Sequence, residues 1–178
     1  AAYAVAPPAV RERGGDIRLV PASLDAADIA RVLKDGYDVA RLSDGFGELI
    51  ETLGLDVLFV DTHPGLNEET LLSIAVSDFL VLILRPDRQD FQGTAVTVEV
   101  ARKLNVPELL LVVNKALTSM DYVALRQKGE RAYNATVAGV FPESEDVLRL
   151  ASGGVFSLLY PDHQWSREVT RVAARLMA

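Results

Sequence analysis

Cysteine is absent from the 178 residues and histidine occurs only twice, so disulfides, thiolate metal sites and cysteine nucleophiles are all excluded. His63 and His163 lie far apart in sequence and lack nearby partners of their own kind, which points to structural rather than metal-binding roles. Positive charge is also in short supply. The 18 Lys and Arg face 25 Asp and Glu, for a net charge of −7, and a surface of that sign does not attract nucleic acid or anionic lipid over its whole extent. Arg102 with Lys103, and Arg126, Lys128 and Arg131, are the candidates for a local basic patch, although solvated helix faces account for such residues as well. No apolar run nears the roughly 20 residues of a membrane span, and the opening AAYAVAPPAVRERGG does not read as a signal peptide. A cytoplasmic location is expected. The Ser residues, Ser73 and Ser152 among them, lack a nucleophile-elbow pattern.

What is present is a set of short, almost uninterrupted apolar runs: Val57–Val60, Phe79–Leu84 and Leu109–Val113. Runs of this kind suit strands buried on both faces, as in a parallel sheet. The intervening segments Glu68–Val76 and Thr94–Leu104 carry apolar residues at helical spacing. Upstream, Ile17–Val20 reads as a strand, followed by a helix capped by Ser23 or Asp25 and a second helix over Ser43–Leu53. Downstream follow helix Tyr122–Tyr133, strand Val137–Phe141, helix Glu143–Leu150 and a closing helix Ser166–Met177. The alternation predicts one domain of α/β class, an open and mostly parallel sheet with helices on both faces.

In such sheets ligands sit outside the carboxyl ends of the strands. Asp61 ends the first run, a carboxylate placed to meet Mg²⁺ or a water in its shell, and Thr62-His63-Pro64-Gly65 then forms a tight turn whose N–H groups could face a phosphate. Arg85-Pro86-Asp87 ends the second run and Asn114-Lys115 the third. An amide can read both donor and acceptor on a base edge, and Pro142 and Glu143 after the next strand could flank that base. Neither Asp61 nor Asn114 is decisive by itself, because acids commonly end strands and Asn commonly forms turns.

The stretch LDVLFVDTHPGLNEETLLSIAVSDFLVLILRPDRQDFQGTAVTVEVARKLNVPELLLVVNK, from Leu55 to Lys115, resembles the central part of MinD/ParA-type ATPases. VFPESEDVLRLASGGVF resembles the segment after that family's base-binding loop, and the last helix its closing helix. The resemblance implies a P-loop NTPase-like fold, with Asp61 as the Walker B carboxylate serving Mg²⁺ through water and Thr62 to Asn67, including Pro64 and Gly65, as the switch that senses the γ-phosphate. It further implies Asn114 as an adenine contact, with Pro142, Glu143 and Asp146 near the base or ribose. ATP and Mg²⁺ are the cofactors of the intact family, and a homo-oligomer, an unidentified protein partner, and membrane or DNA contact through a local patch are its associations. Trp165, Val169, Val172 and Leu176 form one helical face, as in MinD proteins that touch membranes, but core packing fits them better, since the helix is short and not strongly basic.

The departure from the family pattern is as informative. No Gly is followed by Lys anywhere in the chain, and a P-loop needs both the Gly-rich turn and its Lys. The N-terminal P-loop unit is therefore expected to be missing, with ATP neither bound nor hydrolysed by this chain alone. Two accounts stand: an N-terminally truncated ATPase, preferred because the switch and Asn114 regions keep active-looking residues, or a non-catalytic protein-interaction module without a P-loop. A receiver-like sheet, with Asp61 and Lys115 as its acid and lysine, fits less well because of the Asp-Thr-His-Pro-Gly turn and the length after Lys115.

Overall fold

The computed structural model describes residues 2–22, 39–63 and 65–177. The cap expected at Ser23 or Asp25, and Pro64, lie outside the described residues. The chain falls into two compact units, Ala1–Leu58 and Phe59–Ala178.

In the first unit β1 (Tyr3–Ala4) pairs antiparallel with β2 (Arg18–Leu19), with Tyr3 opposite Leu19. The strand expected over Ile17–Val20 is thus shorter and belongs to a two-stranded ribbon, not to the parallel sheet. Between the two strands, α1 (Pro8–Arg11) begins with Pro, whose missing N–H costs nothing in a first turn. Helix α2 (Val39–Leu53) starts ahead of the expected Ser43 and turns a half-buried stripe of Leu42, Phe46, Leu49 and Leu53 to one side. It closes with the Leu55 N–H on the Ile50 carbonyl at 3.0 Å, a helix-ending bond that satisfies one of the last free carbonyls.

The expected strand Val57–Val60 does not form. Its apolar run gives it the side chains of a buried strand, yet a strand exists only through ladder bonds to a neighbour. The run has no ladder partner among the described residues, the boundary between the two units passes through it, and Phe59 is 78% exposed.

The second unit holds α3 (Glu68–Ala75), β3 (Phe79–Leu84), α4 (Arg88–Lys103), β4 (Glu108–Ala116), α5 (Tyr122–Tyr133), β5 (Thr136–Pro142), α6 (Glu145–Leu150), α7 (Phe156–Leu159) and α8 (Gln164–Leu176). The three strands make a parallel sheet in the order β3-β4-β5, with Leu84 level with Val113 and Val113 with Val140. Alternation along the strands supplies two cores. Leu84, Leu111, Val113, Val137 and Val140 face α4 and α5, meeting Val98 and Tyr133. Leu110, Val112, Ala138 and Phe141 face α8, meeting Trp165, Val169, Val172 and Leu176. Helices therefore lie on both faces of the sheet, and the apolar stripe of the closing helix is core packing.

Candidate functional site

Because β3, β4 and β5 are parallel, their carboxyl ends share one edge of the sheet. Asn114 and Lys115 lie there, inside β4 rather than beyond it. The pairing with β5 is interrupted between Val113 and Ala116, and Ala116 rejoins the ladder opposite Pro142. Asn114 and Lys115 thus stand opposite the single Phe141, one residue more than a regular ladder holds, and the bulge re-aims their side chains. Lys115 takes a left-handed backbone with φ of 55°, uncommon for a residue with a Cβ and held here by its surroundings. Its N–H donates to the Asn114 Oδ1 at 2.9 Å, and on the far side of the bulge the Glu143 N–H donates to the Ala116 carbonyl at 2.9 Å. The ladder and that bond bring Asn114, Lys115, Pro142 and Glu143 together, with Pro142 buried and Glu143 exposed. The Asn114 carboxamide oxygen is engaged, which leaves the two N–H donors of its amide nitrogen for a ligand.

Asp61, Thr62 and His63 form an exposed segment, outside helix and strand, ahead of α3. Gly65 has a φ of 100°, a conformation that L side chains rarely adopt, so this turn requires glycine. Asn67 caps α3, its Oδ1 accepting the Thr70 N–H at 2.8 Å. Buried Thr70 donates its hydroxyl to the His63 carbonyl at 3.4 Å, which ties the loop to the helix it precedes. Among the described residues no hydrogen bond or ion pair joins Asp61, Thr62 or Gly65 to the Asn114 group.

Asp90 carries no apolar signal, and the apolar periodicity places the start of α4 at Thr94, whereas the helix begins at Arg88 because Asp87 Oδ1 accepts the Asp90 N–H at 2.9 Å. Asp90 in turn reaches back to the Arg85 N–H at 2.9 Å and to the Arg85 guanidinium at 3.1 and 3.2 Å. These bonds hold the Asp90 carboxyl below the usual carboxylate range and raise the Arg85 guanidinium above its own. The spacing Asp87-x-x-Asp90 is the available signal, a short-chain relative of the capping box.

The other candidates resolve as structure. Arg102 donates to the Tyr133 and Asn134 carbonyls at the end of α5. Arg126 donates to the Val137 carbonyl, and Lys128 stands 4.6 Å above the Phe91 ring. His163 caps α8, its Nδ1 accepting the Trp165 N–H at 3.1 Å, and its Nε2 lies 3.7 Å from Asp146. Asp146 is thereby placed at the start of α8. Among the described residues no group of three His, Asp or Glu side chains is placed to hold a metal, and no described helix is long and apolar enough to cross a membrane.

A parallel sheet covered on both faces, with polar tips at its carboxyl edge, defines an open-sheet α/β domain. Comparison narrows this to the fold of the MinD and ParA ATPases. The chain superimposes on the MinD cell division protein of Aquifex aeolicus with a TM-score of 0.70 and 15% identity over 79% of this chain and 61% of that one. On the MinC:MinD complex of the same organism it scores 0.71 at 16% identity, covering 80% and 60%. On a ParA family ATPase from Chlorobium tepidum TLS it scores 0.67 at 19% identity, covering 89% and 62%. In sequence it is 23% identical over 124 residues to an uncharacterized ATP-binding protein of Methanocaldococcus jannaschii, across 69% of this chain and 47% of that protein. The chain thus spans less than half of that relative and less than two thirds of each solved chain. No protein-family profile matches it.

Proposed function

We propose that this chain is the base-binding and switch-bearing part of a MinD/ParA-like, ATP-dependent molecular switch that works in the cytoplasm. The observation that carries the reading is the bulge that sets Asn114 and Lys115 against Pro142 and Glu143 at the carboxyl edge of the sheet. The donors and acceptors there suit a nucleotide base, with the Asn114 amide N–H groups facing its edge, Glu143 toward base or ribose, and Pro142 as backing. Asp61 serves the Mg²⁺ shell through water, and Thr62, Pro64 and Gly65 serve the γ-phosphate. The chemistry that Mg-ATP brings is attack of water on the γ-phosphate, to which the protein contributes position and charge.

In this reading the Gly-rich loop and its Lys come from outside these 178 residues, and the switch associates with a second copy and with a partner protein. The MinD of Aquifex aeolicus is found in complex with MinC, which supports a protein-binding role for the fold. Calorimetric titration with Mg-ATP tests the division of labour. The chain by itself binds weakly or not at all, because most phosphate-binding energy resides in loop amides and Lys, whereas the chain extended upstream through such a loop binds in the micromolar range. Micromolar affinity of the unextended chain, worth about −8 kcal/mol, contradicts the reading, and an extended chain that still fails to bind favours the non-catalytic module.

A further inference from the structure

Helices α4 and α5 pack against the same core, and between them runs a groove of about 480 Å³, within the roughly 300–1,000 Å³ of ligand-binding clefts. Its lining includes Pro86 from the loop after β3, Arg88, Phe91 and Ala95 from α4, and Lys128 and Tyr133 from α5. Arg88 to Ala95 is two turns of helix, about 10 Å at 1.5 Å per residue, so the groove is elongated. The aromatic pair within it is held in place. The Phe91 and Tyr133 rings lie 5.7 Å apart, and Tyr133, itself buried, donates its hydroxyl to the Phe91 carbonyl at 2.8 Å.

Charge in the groove has the opposite sign to that of the chain. Two cations line it, Arg88 from one helix and Lys128 from the other, and Asp87 is the only acid in the lining. Asp87 is already committed: its Oδ1 accepts the Asp90 N–H at 2.9 Å, and its Oδ2 lies 3.4 Å from Arg85 Nε. The Lys128 ammonium stands 4.6 Å from the centre of the Phe91 ring, which holds it beside the aromatic pair without supplying a counter-anion. Among the described residues the side chains of Arg88 and Lys128 have no ion pair or hydrogen bond. On a chain of net charge −7, two unpaired cations around an apolar groove select an anion that carries its own apolar group. Two positive charges are too few to follow a nucleic-acid backbone, and an anionic lipid surface repels a chain of this net charge. A polypeptide segment in which carboxylates alternate with large apolar side chains matches both the length of the groove and its charge.

We propose that the groove between α4 and α5 is a docking site for an acidic, apolar segment of a partner protein, with Arg88 and Lys128 meeting its carboxylates and Phe91 its apolar side chains, a reading that does not depend on nucleotide binding. The test uses the 178-residue chain and short fluorescein-labelled peptides, followed by fluorescence anisotropy. A peptide alternating Glu with Leu should bind at least about tenfold more tightly than the same peptide with Lys for Glu or with Ser for Leu, and added salt should weaken it. Arg88→Glu with Lys128→Glu should weaken the Glu-Leu peptide at least about tenfold. Melting should change little, because both residues are exposed and an acid suits the first turn of α4. Lys128→Arg should retain binding, and Ala95→Trp, which fills the groove without altering charge, should weaken it in the same direction as the charge reversal. Equal affinity for the three peptides, absence of binding included, overturns the proposal, as does undiminished affinity in the charge-reversed and Ala95→Trp variants. So does binding of single-stranded DNA or of phosphatidylglycerol vesicles that the same charge reversal abolishes.

Discussion

Gly139 sits in the middle of β5, on the sheet face that α8 covers, and a methyl group there would lie 2.8 Å from Val172 Cγ2 and 2.9 Å from Phe141 Cε2. Carbon atoms in good contact stand about 3.5–4.0 Å apart, so each approach is short by at least about 0.6 Å. Neither neighbour retreats freely. Phe141 is buried with its ring 5.3 Å from Trp165, and Val172 is packed into the same cluster. Overpacking of this kind costs about 1–3 kcal/mol, offset by about 0.5–1 kcal/mol for removing glycine from a strand. Gly139→Ala is therefore expected to lose about 1–2 kcal/mol of stability. Val172→Ala removes the Cγ2 that obstructs the new methyl and by itself costs about 1 kcal/mol for a half-buried Val. The double variant should be more stable than the sum of the two losses implies, with a coupling of at least about 0.5 kcal/mol. Urea unfolding followed by fluorescence of Trp165, the sole Trp in the chain, measures all three. Full additivity, or a Gly139→Ala protein as stable as its parent, would refute the packing of α8 on this face and reopen the reading of its apolar stripe as a membrane-facing one.

Other outcomes follow from the same contacts. Asp87→Ala should destabilise α4 by about 1 kcal/mol through loss of its N-cap, seen as a lower urea midpoint. The Asp90 carboxyl is lowered by Arg85, so its contribution is present above the ordinary carboxylate pKa and is lost as pH falls through the lower folded value. Asp90→Asn should accordingly flatten the fall in melting temperature below about pH 4 and lower stability at neutral pH. An unchanged acid limb contradicts the Arg85 pairing. Gly65→Ala, at a φ of 100°, should cost about 1 kcal/mol or more, and a neutral effect on thermal melting would mean that the turn relaxes to another conformation.

The strands that sequence reading located well are those whose neighbours are also in the chain. Phe79–Leu84, Leu109–Val113 and Val137–Phe141 all lie within observed strands, because an apolar run buried on both faces leaves a continuous signal. Val57–Val60 carries the same signal without a ladder partner among the described residues, and side-chain pattern by itself cannot report a missing partner. The start of α4 was hidden for the opposite reason: Asp87 and Asp90 set it with polar capping bonds while the apolar periodicity begins later. At the candidate site, Asn114, Pro142 and Glu143 were legible as residues that end strands, but the bulge that joins them depends on a left-handed Lys115, and lysine gives no sequence sign of that conformation. His163 as a helix cap was equally silent, since its role rests on which ring nitrogen meets the Trp165 N–H.

In the proposed function Asn114 serves the base end of a bound nucleotide and Asp61 its metal and phosphate end, and steady-state ATPase kinetics on the upstream-extended protein separates the two. Asn114→Ala should raise KM for ATP with little change in kcat, because a base contact is made alike in the ground and transition states. Asp61→Asn should keep most of the ATP affinity and lose hydrolysis. An Asp61→Asn protein that turns over ATP at the parental rate, or an Asn114→Ala protein with the parental KM, would contradict the assignment.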